Sequence, residues 1–313
     1  MVAAPLVSIV TPTLNQGRFI EATIRSIKGQ SYDRFEHIVI DGGSTDATLD
    51  ILRRYEGTYP MRWLSEPDSG MYEAVNKGLR MASGDILAYL NSDDLYFPWT
   101  LETVVEALAR HREADFVFGD ALSLNDETKR QDLYWTFPFS LSHLRTTGFL
   151  AQPAVFWRRS AYTSIGPFDE RLRYVADCDY WMRAGATHQF KKVDEFLAVE
   201  RDHAATQRAR GSAVWDELTE VRSRYVAAGE RPGPVRRSVL RERVWRRLYS
   251  FALVAQATTP EWLRRSPWHR LLAAPEFRFS RLRLLLLTIP YLGRRFAGRV
   301  IVSDAGWLET LAP

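Results

Sequence analysis

Five aspartates and one histidine in this 313-residue chain stand where they could handle a cation or a proton. Asp93 and Asp94 follow the apolar run 86–90 and precede Tyr96 and Trp99. Adjacent carboxylates repel unless a cation or hydrogen-bond donors compensate, so the pair points to a divalent metal or to the cap of a following helix. Asp41 ends a second apolar run and is followed by Gly42 and Gly43. There it could accept from ribose hydroxyls or a base N–H, or organise a turn in which Ser44 or Asp46 caps the next helix. Asp177 and Asp179 lie two positions apart in a helical pattern and so face different ways. One of them, turned into a cleft, could take a proton from a hydroxyl. Their neighbours Tyr174, Val175, Cys178, Tyr180 and Trp181 suggest burial rather than a solvated face. His203, beside Asp202, is open to three readings: metal ligand, acceptor contact or surface residue.

The elements that must carry these residues follow from hydrophobic periodicity. Strands are predicted at 7–11, 37–40, 61–64, 86–90 and 116–118, alternating with helices at 18–30, 45–55, 71–82 and 99–110. Such alternation predicts an α/β fold with a mostly parallel sheet flanked by helices, and ligands bind such sheets beyond the carboxyl ends of the strands. Polar clusters stand at four of those ends: Thr11 to Asn15, Asp41 to Ser44, Glu66 to Gly70 and Asn91 to Asp94. Residues 120–148 read as irregular, with Tyr134, Trp135, Phe137 and Phe139 available to shape an acceptor site. A strand at 154–157, helices at 160–165 and 175–184 and a strand at 190–199 complete the pattern.

The expected organisation is an α/β domain at 1–207, with regular alternation over 1–120 and a less regular part over 121–207, followed by a helical, arginine-rich region at 208–313. Charge divides in a similar way. Up to Glu200 there are 21 Lys and Arg against 28 Asp and Glu, a net −7; from Arg201 onward there are 21 against 10, a net +11. Arginines at 236, 237, 241, 243, 246 and 247 interleave with apolar residues, a pattern that fits an anionic membrane surface as partner, rather than nucleic acid, and equally fits amphipathic helices packed on the preceding domain. With one cysteine, no signal-peptide pattern and no apolar run long enough to span a bilayer, the expectation is a cytoplasmic protein, peripheral at the inner face of the membrane.

Taken in order, the motifs resemble the family-2 glycosyltransferases of the GT-A fold, whose nucleotide-diphospho-sugar domain is Rossmann-like. The resemblance rests on Val7-Ser8-Ile9-Val10-Thr11-Pro12-Thr13-Leu14-Asn15, Asp41-Gly42-Gly43-Ser44-Thr45-Asp46, Glu66-Pro67-Asp68-Ser69-Gly70-Met71-Tyr72 through Asn76-Lys77-Gly78, and Asn91-Ser92-Asp93-Asp94. It continues at Gln152-Pro153-Ala154 and Gly166-Pro167-Phe168-Asp169-Glu170, and ends at Asp177-Cys178-Asp179-Tyr180-Trp181.

The resemblance implies inverting transfer from a nucleotide-sugar donor, with UDP favoured, to a saccharide or lipid-linked hydroxyl acceptor in cell-surface polysaccharide or glycolipid synthesis. It assigns Thr11, Pro12, Thr13, Asn15, Asp41, Asp68, Asn76, Ser92 and Asp93 to the nucleotide sugar. It further assigns Asp94 and His203 to Mg²⁺ or Mn²⁺, Asp177 to the base, and Gln152, Asp179 and Trp181 to the acceptor. Asn91-Ser92-Asp93-Asp94 departs from a strict Asp-x-Asp, and Gln207-Arg208-Ala209-Arg210-Gly211 lacks the tryptophan of processive synthases. Two other readings compete. A sugar-phosphate nucleotidyltransferase would carry a glycine-rich basic loop after the first strand, where this chain has one glycine, Gly17. A non-catalytic nucleotide-sugar-binding module would not need Asp41, Asp94 and Asp177 together.

Overall fold

The computed structural model describes residues 4–128, 131–134, 136, 138–145, 150–204, 206 and 211–225. Trp135, Phe137, residues 207–210 and the arginine-rich stretch beyond 225 lie outside the described residues. In chain order the elements are β1 (Val7–Thr13), α1 (Ile20–Lys28), β2 (Phe35–Asp41), α2 (Thr48–Tyr55), β3 (Met61–Ser65), α3 (Met71–Met81) and β4 (Ile86–Tyr89). There follow β5 (Leu95–Tyr96), α4 (Thr100–Arg110), β6 (Phe116–Asn125), β7 (Gln131–Tyr134), α5 (Leu141–Leu144) and a 3-10 turn at Gln152–Ala154. The last are β8 (Val155–Arg158), α6 (Arg159–Ile165), α7 (Ala176–Gly185), β9 (Phe190–Asp202) and α8 (Ser212–Tyr225).

The strands form one sheet in the order β3-β2-β1-β4-β8-β6-β9-β5, with β7 added on β6. The first four are parallel, as the βα alternation predicts. Beyond β4 the sheet is mixed: β8 runs antiparallel to both β4 and β6, while β6 and β9 are parallel. The segment after Gly119, read from sequence as irregular, continues β6 to Asn125 and pairs with β7. Asp120 looks like a strand breaker, yet it is buried because Thr136 donates to it and Lys192 forms an ion pair with it at 3.2 Å. A buried charge is tolerated when it is paired in this way.

Every residue of β1 is buried, as expected of a central strand covered on both faces. On one face Val10, Ile38 and Ile40 pack with Val75 and Leu79 of α3, Tyr180 and Met182 of α7, and Leu218 and Val221 of α8. Helix α8, assigned from sequence to the C-terminal region, thus docks on the catalytic core. On the other face Val7 and Ile9 meet Ile27, Leu101, Val104 and Leu108. Among the described residues no helix is long and apolar enough to cross a membrane.

Helix α3 lies against β1 through Gly78, where a Cβ would stand 2.3 Å from Val10 Cγ1. Gly78→Ala is therefore expected to lower stability by about 1–3 kcal/mol through overpacking. That outweighs the ~1 kcal/mol that alanine offers in helix propensity. A urea midpoint that stayed level or rose would show that α3 can shift without loss.

Candidate active site

Strand β1 sits between β2 and β4, and the chain leaves it toward β2 and β3 on one side before returning to β4 on the other. The carboxyl ends of β1 and β4 therefore flank a topological switch point, where a crevice opens. Parallel register brings Thr13, Asp41 and Ser65 level across β1, β2 and β3. Pro12 contributes no N–H to the ladder. It is tolerated because the β1–β4 pairing ends at Val10 and Tyr89, one step before the proline's neighbour Thr11.

The loops at these ends brace one another. Asp41 is fully buried and accepts from the backbone N–H groups of Gly43 and Ser44 and from the Ser65 hydroxyl, at 2.7–3.0 Å, and from the Ser44 hydroxyl as well. Asn15, in the left-handed region at φ 52°, donates its N–H to Ser44 Oγ and accepts from Thr45 N–H at 2.8 Å. Asp68 closes over Gly42, where a Cβ would stand 2.8 Å from its Oδ2. Burial raises the Asp68 pKa, and Glu73 and Asp41 add to the effect. Thr13 is buried and its Oγ1 has no partner among the described residues, which leaves it free to accept or donate at the floor of the crevice. Thr11 points elsewhere: its hydroxyl is 2.9 Å from Nε2 of buried His37, whose Nδ1 is 2.6 Å from the Tyr59 hydroxyl. Burial pushes the His37 pKa down to about 3, so this imidazole is a neutral structural link.

After β4 the two acidic neighbours separate. Asp94 is turned inward at 3% exposure and accepts the Arg201 N–H at 2.9 Å. Asp93 faces His203 instead, with 3.1 Å between Oδ2 and Nε2. The carboxylate beside His203 is therefore that of Asp93, while Asp94, expected with His203 at the metal, lies inward and is held by the Arg201 N–H. The carbonyls of Ser92 and Asp94 both accept from Thr23 on α1, which fixes the loop.

Phe19 organises the wall beside this pair. His203 stacks on it at 4.4 Å, and the guanidinium groups of Arg18 and Arg201 lie 5.0 and 5.5 Å from its centroid. Burial lowers the pKa of Arg201, opposed by the carboxylates of Asp126, Asp94 and Asp93, and its buried Nε has no partner among the described residues. Arg18 bonds Asp126 at 2.5 Å. Neither arginine was singled out from the sequence. The signal for Arg201 is its spacing: it stands two residues before His203, on the same strand face.

Asp177 lies in the first turn of α7, where its Oδ1 accepts from Cys178 N–H at 2.8 Å and from the Tyr72 hydroxyl at 3.3 Å. Burial and then Asp177 raise the pKa of Tyr72, and buried Tyr89 is raised by burial, Tyr72, Asp177 and Asp94 in turn. Gln152 joins the same crevice, accepting from Asn91 at 3.2 Å and donating to Tyr89 O at 2.8 Å.

Three expected site residues are instead used inside the protein. Asn76 is fully buried, and its amide holds both backbone groups of Phe168 and the Glu170 carboxylate. Asp179 is buried and accepts from Arg183 at 2.8 Å and the Tyr225 hydroxyl at 2.6 Å, tying α7 to α8. Trp181 is buried among Phe116, Trp157 and Phe168. Its bulk explains its presence.

The model of the family described as Glycosyl transferase family 2 matches residues 8–166. An uncharacterized glycosyltransferase of Mycobacterium tuberculosis is 35% identical over 240 residues, spanning 74% of this chain and 89% of that protein. The PGL/p-HBAD biosynthesis glycosyltransferase of Mycobacterium bovis is 35% identical over 184 residues, 58% of this chain and 70% of the relative. The chain belongs to glycosyl transferase family 2. Residues 1–349 of Staphylococcus aureus TarS, solved with UDP-GlcNAc, superpose with a TM-score of 0.59 at 16% identity, covering 95% of this chain and 94% of that one. Of a longer TarS chain this protein spans 54%. A Pyrobaculum calidifontis mannosyltransferase, in complex with GDP-Man and Mn²⁺, superposes at 0.55 with 20% identity, covering 93% and 88%. These likenesses establish the GT-A fold.

Proposed function

We propose that this glycosyltransferase moves a sugar, with inversion, from a UDP-sugar or similar nucleotide donor to the hydroxyl of a saccharide or lipid-linked acceptor in glycolipid or surface-polysaccharide synthesis. The observation that carries the reading is the pairing of Asp93 with His203 at the switch point, with Asp177 at the start of α7 held by the Tyr72 hydroxyl. The Asp93 carboxylate suits Mg²⁺ or Mn²⁺, which prefer oxygen ligands, and His203 stands beside it. Among the described residues no group of three His, Cys, Asp or Glu stands together, so further ligands would come from the donor's diphosphate and water. When bound, the metal would supply Lewis acidity to the departing diphosphate.

The chain's own residues supply the rest. Thr13 and the braced loop around Asp41 receive the nucleotide, with Asp68 closing one edge. Arg201 and Arg18 present positive charge beside Asp93, where the diphosphate's negative charge grows as the glycosidic bond breaks. On the far side Asp177 takes the acceptor proton as its oxygen attacks the anomeric carbon. The arginine-rich stretch beyond 225 has an anionic membrane surface as its proposed partner, and a lipid-linked acceptor fits that placement.

The test is an array of nucleotide sugars scored for released nucleotide, with and without Mn²⁺ and a set of hydroxyl acceptors. Release from one or a few donors, stimulated by the metal, is expected. Silence across UDP-, GDP- and dTDP-sugars under all conditions would overturn the reading, and a product carrying a new nucleotidyl bond would reassign it.

A further inference from the structure

Three consecutive backbone N–H groups lead into helix α7, those of Arg173, Tyr174 and the N-cap Val175, whose apolar side chain offers no acceptor. The acceptor comes from α8. Glu217 Oε1 accepts from Arg173 N–H at 2.8 Å, and Oε2 accepts from Tyr174 N–H at 2.6 Å and Val175 N–H at 3.0 Å. One carboxylate thus holds three consecutive peptide groups immediately before the helix that carries Asp177. The amino end of a helix is electropositive and its first N–H groups are orphaned, so an anion there is held strongly. The strap is tied down on its other side as well, because Tyr174 O accepts from the Tyr72 hydroxyl, which also bonds Asp177. Helix α8 is seated by buried Leu218 and Val221 and by the bond from Tyr225 to Asp179.

We infer that Glu217 is a positioning residue for transfer. It fixes the 173–175 strap, and through it the angle at which Asp177 enters the crevice. It touches neither substrate nor metal in this role. The inference rests on Asp177 being the base. It also gives helix α8 a role in the chemistry.

The test uses the full chain and whichever nucleotide sugar releases nucleotide fastest in the donor array. Glu217→Ala is expected to lower kcat at least tenfold, within the ~10²-fold that a displacement of about 1 Å can cost, while donor KM stays within threefold. Glu217→Gln keeps one accepting oxygen and should recover some of that loss. Leu108→Ala, in the core on the opposite face of the sheet, serves as the comparison, since it removes buried packing without touching α8 or the strap. It should lower Tm at least as far as Glu217→Ala and yet keep kcat near wild type below the melting range. If Glu217→Ala keeps its kcat, or if kcat follows Tm equally in both variants, Glu217 is merely structural and the inference fails. If Asp177→Asn itself turns over normally, the base assignment has failed, which is a separate result from a failure of Glu217 alone.

Discussion

Replacing Asp177 with asparagine is expected to cut turnover by roughly a hundredfold or more, the scale of losing a general base, while leaving nucleotide affinity nearly unchanged. The substitution is informative because of what it preserves. Asparagine Oδ1 can still accept from Cys178 N–H and from the Tyr72 hydroxyl, so the side chain keeps the place that Asp177 has now. What disappears is the negative charge and the site for the acceptor's proton. The nucleotide loops and the Asp93–His203 pair belong to other elements, so titration with UDP should give a wild-type Kd. Steady-state kinetics beside calorimetry would separate the two effects. Turnover retained in full would move the base role to another group, and a collapse of UDP binding would mean that α7 helps to form the nucleotide pocket.

Asp93→Ala and His203→Ala are expected to weaken Mn²⁺-dependent binding of UDP by at least tenfold. This is at least the lower bound of the ~10–100-fold lost when even an outer partner of a metal ligand is removed. In EDTA all three proteins should bind alike and weakly. Asp94→Ala should behave differently, because Asp94 is buried and its carboxylate accepts the Arg201 N–H that holds β9 in place. Leaving that N–H unsatisfied costs about 1–3 kcal/mol of stability. Calorimetry with and without Mn²⁺ decides the matter. Equal wild-type affinity in Mn²⁺ and EDTA would remove the metal altogether. If Asp94→Ala abolished the Mn²⁺ effect while Asp93→Ala kept it, the ligand would return to Asp94.

Much of the crevice was legible because local pattern determined it. The strands before Asp41 and Asp93 are apolar runs that end abruptly in polar residues, and parallel strands covered on both faces carry that signature. The loss of legibility begins where partners lie far apart in sequence. Asp120 reads as a breaker until Lys192, 72 residues on, neutralises it. The two-residue strand β5 is too short for any periodicity. Asp93 and Asp94 differ in role because Arg201 N–H reaches one and His203 the other, which no local spacing announces. Asp179 stands in a family motif beside Asp177, yet two residues on a helix turn it by about 200°, toward Arg183 and Tyr225, while Trp181, on the same side as Asp177, is buried among distant aromatic residues. Glu217 has no sequence signature of its own. Its importance comes from where α8 docks.

Under the proposed roles, the Asp93–His203 pair also governs when in its life the protein can first work. The two residues are 110 positions apart, and they meet only after β9 has inserted beside β6 in parallel, with Phe116 opposite Phe190. A chain emerging from the ribosome has its nucleotide loops early, but it cannot assemble the diphosphate end until residue 203 is out and β9 has taken its place in the sheet. Parallel pairings at such separation form late, because chain entropy is lost before contacts repay it. Donor and metal, binding across that closure, would hold its two ends together and add their binding free energy to the native state, about 2.7 kcal/mol at a hundredfold excess over Kd. The cell's nucleotide-sugar pool would then set how long the folded enzyme lasts as well as how fast it turns over.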